Sequence, residues 1–222
     1  PLANGDWNRP LAQNKTTEQI FANQLSFQGC FKTGSIKHQL FTGIDTEKSE
    51  TDTATFRFFN ATNGATITTY DTVNIFNPSS YLFANEGSVP PSEVTRIVST
   101  ITNRYGVYAQ DLISITQKLK VLAGIRYSYQ EAKPITINLS DDTQTPEKTR
   151  IDRAFTPKMG FIYQPNKLTS FFGSFANSFI PNTGVTIFDE VIAPSIIDQY
   201  EMGVKKEWFN GKLTTNATLY HI

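Results

Sequence analysis

Glu201, Lys205 and Glu207 recur on one side of a segment, residues 199–209, in which polar and apolar side chains alternate. Carboxylates in such a row could coordinate a cation or exchange protons, with the lysine balancing their charge. The same pattern arises wherever one face of a strand is wet, and that is the simpler account. Asp141, Asp142 and Glu147 lie in a polar stretch and read as solvated. His38 aligns with Ile36 and Leu40, and His221 with Ala217 and Leu219. Both histidines therefore read as surface residues or members of an interfacial girdle, not as catalytic bases. Cys30 is the single cysteine, which excludes an internal disulfide and a cysteine metal cage. There is no Gly-x-Ser-x-Gly elbow, no His-Glu-x-x-His pair and no phosphate-cradling glycine loop. The chain is not expected to be an enzyme.

A different chemistry is concentrated in residues 46–102. Phe56, Arg57, Phe58, Phe59, Tyr70, Phe76, Tyr81 and Phe83 fall there. Aromatics in an exposed connection are costly unless they pack together or bind something. They either form a small core of their own, or present an aromatic rim to a semi-polar ligand. In the second case Arg57 is placed to meet an anionic group. These eight residues are the candidate ligand-binding set.

The elements that must position them are strands. In residues 119–129, Leu119, Val121, Ala123, Ile125, Tyr127 and Tyr129 share one face, against Lys120, Gly124, Arg126 and Ser128 on the other. A period of two is the mark of a half-buried strand. Eight such segments are expected, at about 18–31, 35–45, 103–116, 119–129, 153–164, 168–179, 199–209 and 213–222. The sixth is aromatic on both faces and has no assignable orientation. Short connections join them in pairs, and Asn210-Gly211 is a two-residue hairpin signal. Between the pairs lie long connections, about 46–102, 131–152 and 178–198.

Long two-periodic strands with short turns at one end and long loops at the other describe an outer-membrane β-barrel. A soluble sandwich has no reason to segregate its loops in this way, and its strands are usually about 5–6 residues long. No segment approaches the ~20 continuous apolar residues of a membrane helix. The 20 basic and 20 acidic residues cancel, leaving no basic face for nucleic acid. The chain opens on Pro1 and closes in strand-like sequence, so both ends are read as cuts in a longer polypeptide.

Several stretches resemble the barrel of TonB-dependent siderophore receptors, the ferrichrome-type group in particular. They are Thr33-Gly-Ser-Ile-Lys-His-Gln-Leu-Phe-Thr-Gly-Ile-Asp45, Tyr105-Gly-Val-Tyr-Ala-Gln-Asp-Leu-Ile-Ser-Ile115 with Lys118-Leu-Lys-Val-Leu-Ala-Gly-Ile-Arg-Tyr127, Phe155-Thr-Pro-Lys-Met-Gly-Phe-Ile-Tyr-Gln-Pro165, and Asp198-Gln-Tyr-Glu-Met-Gly-Val-Lys-Lys205. Lys158 stands where the family often has Arg. The resemblance implies an all-β, antiparallel transmembrane barrel in the bacterial outer membrane, of about 22 strands and with a plugged lumen. Residues 1–222 would be about eight of those strands with their external loops, and the N-terminal plug would be absent. It implies uptake of ferric siderophores energised by TonB with ExbB and ExbD, acting through the missing plug. The ferric siderophore would be cargo, with no resident cofactor and no metal site. Two alternatives stand beside it: a self-contained eight-stranded barrel acting as anchor or adhesin, and a soluble β-rich binding module.

Overall fold

A computed structural model describes residues 3–77, 89–182, 184–188 and 190–222. The described residues form twelve strands: β1 (Asp6–Pro10), β2 (Asn14–Thr33), β3 (Ile36–Phe59), β4 (Thr66–Ile67), β5 (Thr69–Asn74), β6 (Ser92–Ser114), β7 (Leu119–Asn138), β8 (Thr143–Pro146), β9 (Arg150–Asn166), β10 (Thr169–Ile180), β11 (Ser195–Trp208) and β12 (Leu213–His221). The sheet runs β12-β11-β10-β9-β7-β6-β3-β2, with β4 added to β3 and β8 to β7, while β1 and β5 pair separately. Each long strand lies beside the next one in sequence, which is the meander that short turns and an alternating pattern produce.

All eight expected strands are present, but several run further than their apolar alternation. β3 continues to Phe59, β6 begins at Ser92 and β7 continues to Asn138. Much of what reads as loop in residues 46–102 and 131–152 is therefore strand. The cause is visible in β3, where residues 46–53 carry polar side chains on both faces before the aromatics at its end. Thr53 meets Thr16 at 3.3 Å, and Thr51 donates to Glu18 at 3.3 Å. A strand wetted on both sides keeps its β-branched residues and loses the apolar period by which strands are recognised.

The Asn210-Gly211 turn also differs from expectation. Phe209, Asn210 and Gly211 all have positive φ, at 54°, 57° and 86°. Residues 209–212 thus form a four-residue connection between β11 and β12.

The chain divides into two compact units, one of residues 1–19, 49–101 and 133–148 and the other of residues 20–48, 102–132 and 149–222. The second unit has two unlike faces. On one, Phe21, Leu25, Phe27, Phe31, Tyr105, Val107, Phe155, Met159, Phe161, Tyr200 and Met202 are exposed. Rings meet across the strands there: Tyr127 with Phe155 at 4.9 Å and Phe175 with Tyr200 at 5.0 Å. The second contact orients β10, with Phe171 and Phe175 on the aromatic face.

The opposite face of this unit is polar. Arg126 grips both oxygens of Asp45 at 2.7 and 2.8 Å and donates to Ser128. Arg104 donates to Gln130 at 2.8 Å and pairs with Glu47. Tyr108 accepts from Gln24 at 2.8 Å and lies under the Arg126 guanidinium. Gly106 is required where this pair crosses β6, because a Cβ there would meet both the guanidinium and the Asp45 carboxylate.

Candidate functional site

Six of the eight candidate ligand residues are described, all in the first unit. Tyr81 and Phe83 lie outside the described residues. Phe56, Arg57, Phe58 and Phe59 close β3, so successive side chains point to opposite sides. Phe58 pairs with Ile67 and is only 4% exposed, which makes it a packing residue. Phe59 and Arg57 share the other side, with the guanidinium 6.0 Å from the ring centroid.

Arg57 is already engaged. Its Nε donates to Glu93 at 3.1 Å, it forms an ion pair with the same carboxylate, and Nη1 reaches the Thr66 hydroxyl at 3.4 Å. An anion reaching Arg57 therefore competes with Glu93. Tyr70 lies under Arg9, whose guanidinium is 5.4 Å from the ring centroid and pairs with Asp71. Phe76 is 73% exposed and its ring covers the backbone of Gly5. The structure thus splits the set: Arg57 with Phe59, Tyr70 with Arg9, and Phe76 over Gly5.

Arg9, Asp71, Glu93 and the exposed Trp7 escape a sequence reading. Arg9 and Asp71 are 62 residues apart and meet only because β1 pairs with β5. Nothing local in either segment signals that pairing.

In the second unit, residues 184–188 and 190–192 make the two sides of a small hairpin. Val185 bridges Val191, and the Thr186 hydroxyl accepts from the backbone of Phe188 and Glu190. Ile187 and Phe188 at its tip are 94% and 79% exposed. Arg150 fixes its base, donating to the Ile192 carbonyl at 2.9 Å while held by Asp152, itself 2% exposed. The sequence marks this connection only by its length.

The carboxylate row reads as wet strand face. Glu201 is opposite Ser174 and Tyr220, and Glu207 is opposite Thr214. Among the described residues no group of three or more His, Cys, Asp and Glu could hold a metal ion. His38 stacks on Phe31 at 4.6 Å and bonds Asp111 through Nδ1 at 2.6 Å, on the aromatic face as its neighbours imply.

Comparison with known proteins supplies the frame for these faces. The model of the family described as "TonB dependent receptor-like, beta-barrel" matches residues 2–222. The chain belongs to this family.

Among relatives of this barrel, the ferrichrome outer membrane transporter/phage receptor of Escherichia coli K12 is 30% identical over 230 residues, covering 100% of this chain and 28% of the relative. The metal-pseudopaline receptor CntO of Pseudomonas aeruginosa is 26% identical over 201 residues, covering 90% of this chain and 27% of the relative. The solved siderophore receptor PiuA from Acinetobacter baumannii superposes with a TM-score of 0.74 at 22% identity, covering 97% of this chain and 33% of that one. The chain therefore spans between a quarter and a third of the length of these relatives. TonB-dependent receptor barrels are outer-membrane proteins, so the aromatic face of the second unit is the lipid-facing one and the polar face lines the lumen. Those two assignments account for the exposure of Met202 and Phe155 and for the wet ion pairs of Arg126 and Arg104.

Proposed function

We propose that this chain supplies wall strands and external loops to an outer-membrane receptor that imports ferric siderophores. The observation carrying the proposal is the match of residues 2–222 to the receptor-barrel family, together with relatives named for ferrichrome and metal-pseudopaline. The complete receptor would have about 22 strands and an N-terminal plug, neither supplied by these residues. Energy would come from TonB with ExbB and ExbD through that plug. The protein would be a transporter with no catalytic group of its own, and the ferric siderophore would be cargo, not a cofactor.

In outer-membrane barrels the short turns face the periplasm and the longer connections face outside. On this rule the segment carrying Phe56, Arg57, Phe59, Tyr70 and Phe76 is external, as is the hairpin bearing Ile187 and Phe188. We assign ligand contact to the exposed members, with Arg57 exchanging Glu93 for an anionic group of the siderophore. Tyr81 and Phe83, outside the described residues, remain candidates on the sequence pattern alone.

Titration of the whole purified receptor with ferric hydroxamate, catecholate and citrate complexes tests this reading. Saturable binding of one class is expected, weakened in the Phe59→Ala and Arg57→Ala variants with assembly unchanged. No binding by any class would overturn it.

A further inference from the structure

The lipid-facing side of β9 to β12 is not evenly filled. A hollow of about 600 Å³ lies over it, lined mainly by apolar groups of Phe161, Gly173, Phe175, Met202 and Leu219, with Ser174 and Glu201 also touching it. A second hollow of about 550 Å³, sharing Phe161, Met202 and Leu219, continues past Phe171, Val204 and Ala217. The register explains the continuity. Phe161, Gly173, Met202 and Leu219 stand in one row across the four strands. The next row toward the β11–β12 turn is Phe171, Val204 and Ala217, and Lys206 follows opposite Thr169 and Thr215.

At that end stands a polar cluster of a different kind. The Lys206 ammonium lies 3.9 Å from the Trp208 ring centroid, and Trp208 Nε1 donates to Thr215 at 2.9 Å. Among the described residues no carboxylate pairs with Lys206. A lysine whose stem follows the apolar face while its charge reaches the interface is snorkelling beside an interfacial tryptophan.

We propose that this face binds one anionic phospholipid of the periplasmic leaflet, with its phosphate at Lys206 and Trp208 and an acyl chain in the groove over Phe161 and Met202. Two independent features point to the same molecule: an apolar channel continuous with the bilayer-contacting surface, and a cation at its interfacial end. The connection at that end is short, residues 209–212, which places it on the periplasmic side. A lipid is preferred to a second copy of the chain because the groove ends at a cation, and an anionic headgroup complements it. The proposal rests on the outer-membrane placement and is independent of the cargo.

The test is native mass spectrometry of the whole receptor, delipidated and titrated with phosphatidylglycerol. Folding of each variant is checked by heat-dependent gel mobility. One equivalent is expected to bind ahead of the rest. Lys206→Gln should weaken it by roughly fivefold, the worth of one lysine near an anionic membrane surface. Ala217→Phe, which fills the channel, should weaken it too, and Lys205→Gln on the lumen face should leave it unchanged. Absence of a distinct first equivalent would overturn the proposal. So would equal effects of Lys206→Gln and Lys205→Gln, or a lipid-free dimer that Ala217→Phe disperses.

Discussion

Arg126 and Asp45, 81 residues apart in sequence, form a two-pronged ion pair across the lumen face, with both contacts at 2.7–2.8 Å. The pair spans β6, which lies between β3 and β7. It can do so only because Gly106 leaves the space above the intervening strand open. Two residues that say little individually thus fix the relation of three strands.

Truncating either partner should destabilise the barrel by about 1 kcal/mol, well below a buried pair, because Arg126 is 39% and Asp45 30% exposed. A double-mutant cycle with Asp45→Ala and Arg126→Ala in urea unfolding should recover most of that as coupling. Gly106→Ala should act on the same pair and add little in the Asp45→Ala background. Full additivity of the three would contradict the account.

On the lipid face, Phe161 covers Gly173 so closely that a Cβ on Gly173 would come within 2.6 Å of the ring. Gly173→Leu should slow assembly and lower the temperature at which the folded band is lost on gels. Phe161→Ala in addition should relieve the defect, since the obstacle is the ring. A double variant worse than Gly173→Leu alone would rule this out.

Met202 and Ser174 test the face assignment itself. Met202 is 61% exposed on the aromatic face, while Ser174 stands opposite Glu201 on the lumen side. Met202→Lys should cost about 2–4 kcal/mol if its depth is near the bilayer centre, and Ser174→Lys should cost far less. Refolding titrations into lipid vesicles distinguish them; equal costs would contradict the face assignment, and a larger cost for Ser174→Lys would reverse it.

Asp141, in the connection between β7 and β8, accepts hydrogen bonds from the Thr143 hydroxyl at 2.7 Å and its backbone N–H at 3.2 Å. These bonds favour the carboxylate and hold its pKa below the ordinary 3.8. The group's contribution to order in this turn is therefore present above the ordinary value and is lost as pH falls through the depressed one. Carboxyl-labelled NMR of the Thr143→Ala variant should show the Asp141 midpoint moving up toward the ordinary value. No movement would mean that Thr143 is not the cause.

The lumen-and-lipid sheet was legible wherever one face of a strand is apolar, as in Leu119 to Tyr129 or Tyr200 to Val204. Legibility failed in two physical situations. Strand stretches with polar side chains on both faces, such as Glu50 to Thr53, carry no apolar period. Long-range pairings, such as Arg9 with Asp71 or Arg57 with Glu93, leave no trace in either local segment. The candidate site suffered from both. Its aromatics were visible by composition, yet the burial of Phe58 and the occupied charge of Arg57 emerged only from the pairing of β3 with β4 and the approach of Glu93.

Uptake of radiolabelled iron decides whether this barrel serves siderophore import. Iron-starved cells lacking the natural receptor would carry it intact, with Phe59→Ala and Arg57→Ala, or not at all. The intact receptor should restore uptake of one class of ferric siderophore, only with TonB present, and the loop variants should reduce it. Uptake indifferent to the receptor for every class, or unchanged on loss of TonB, would contradict that role.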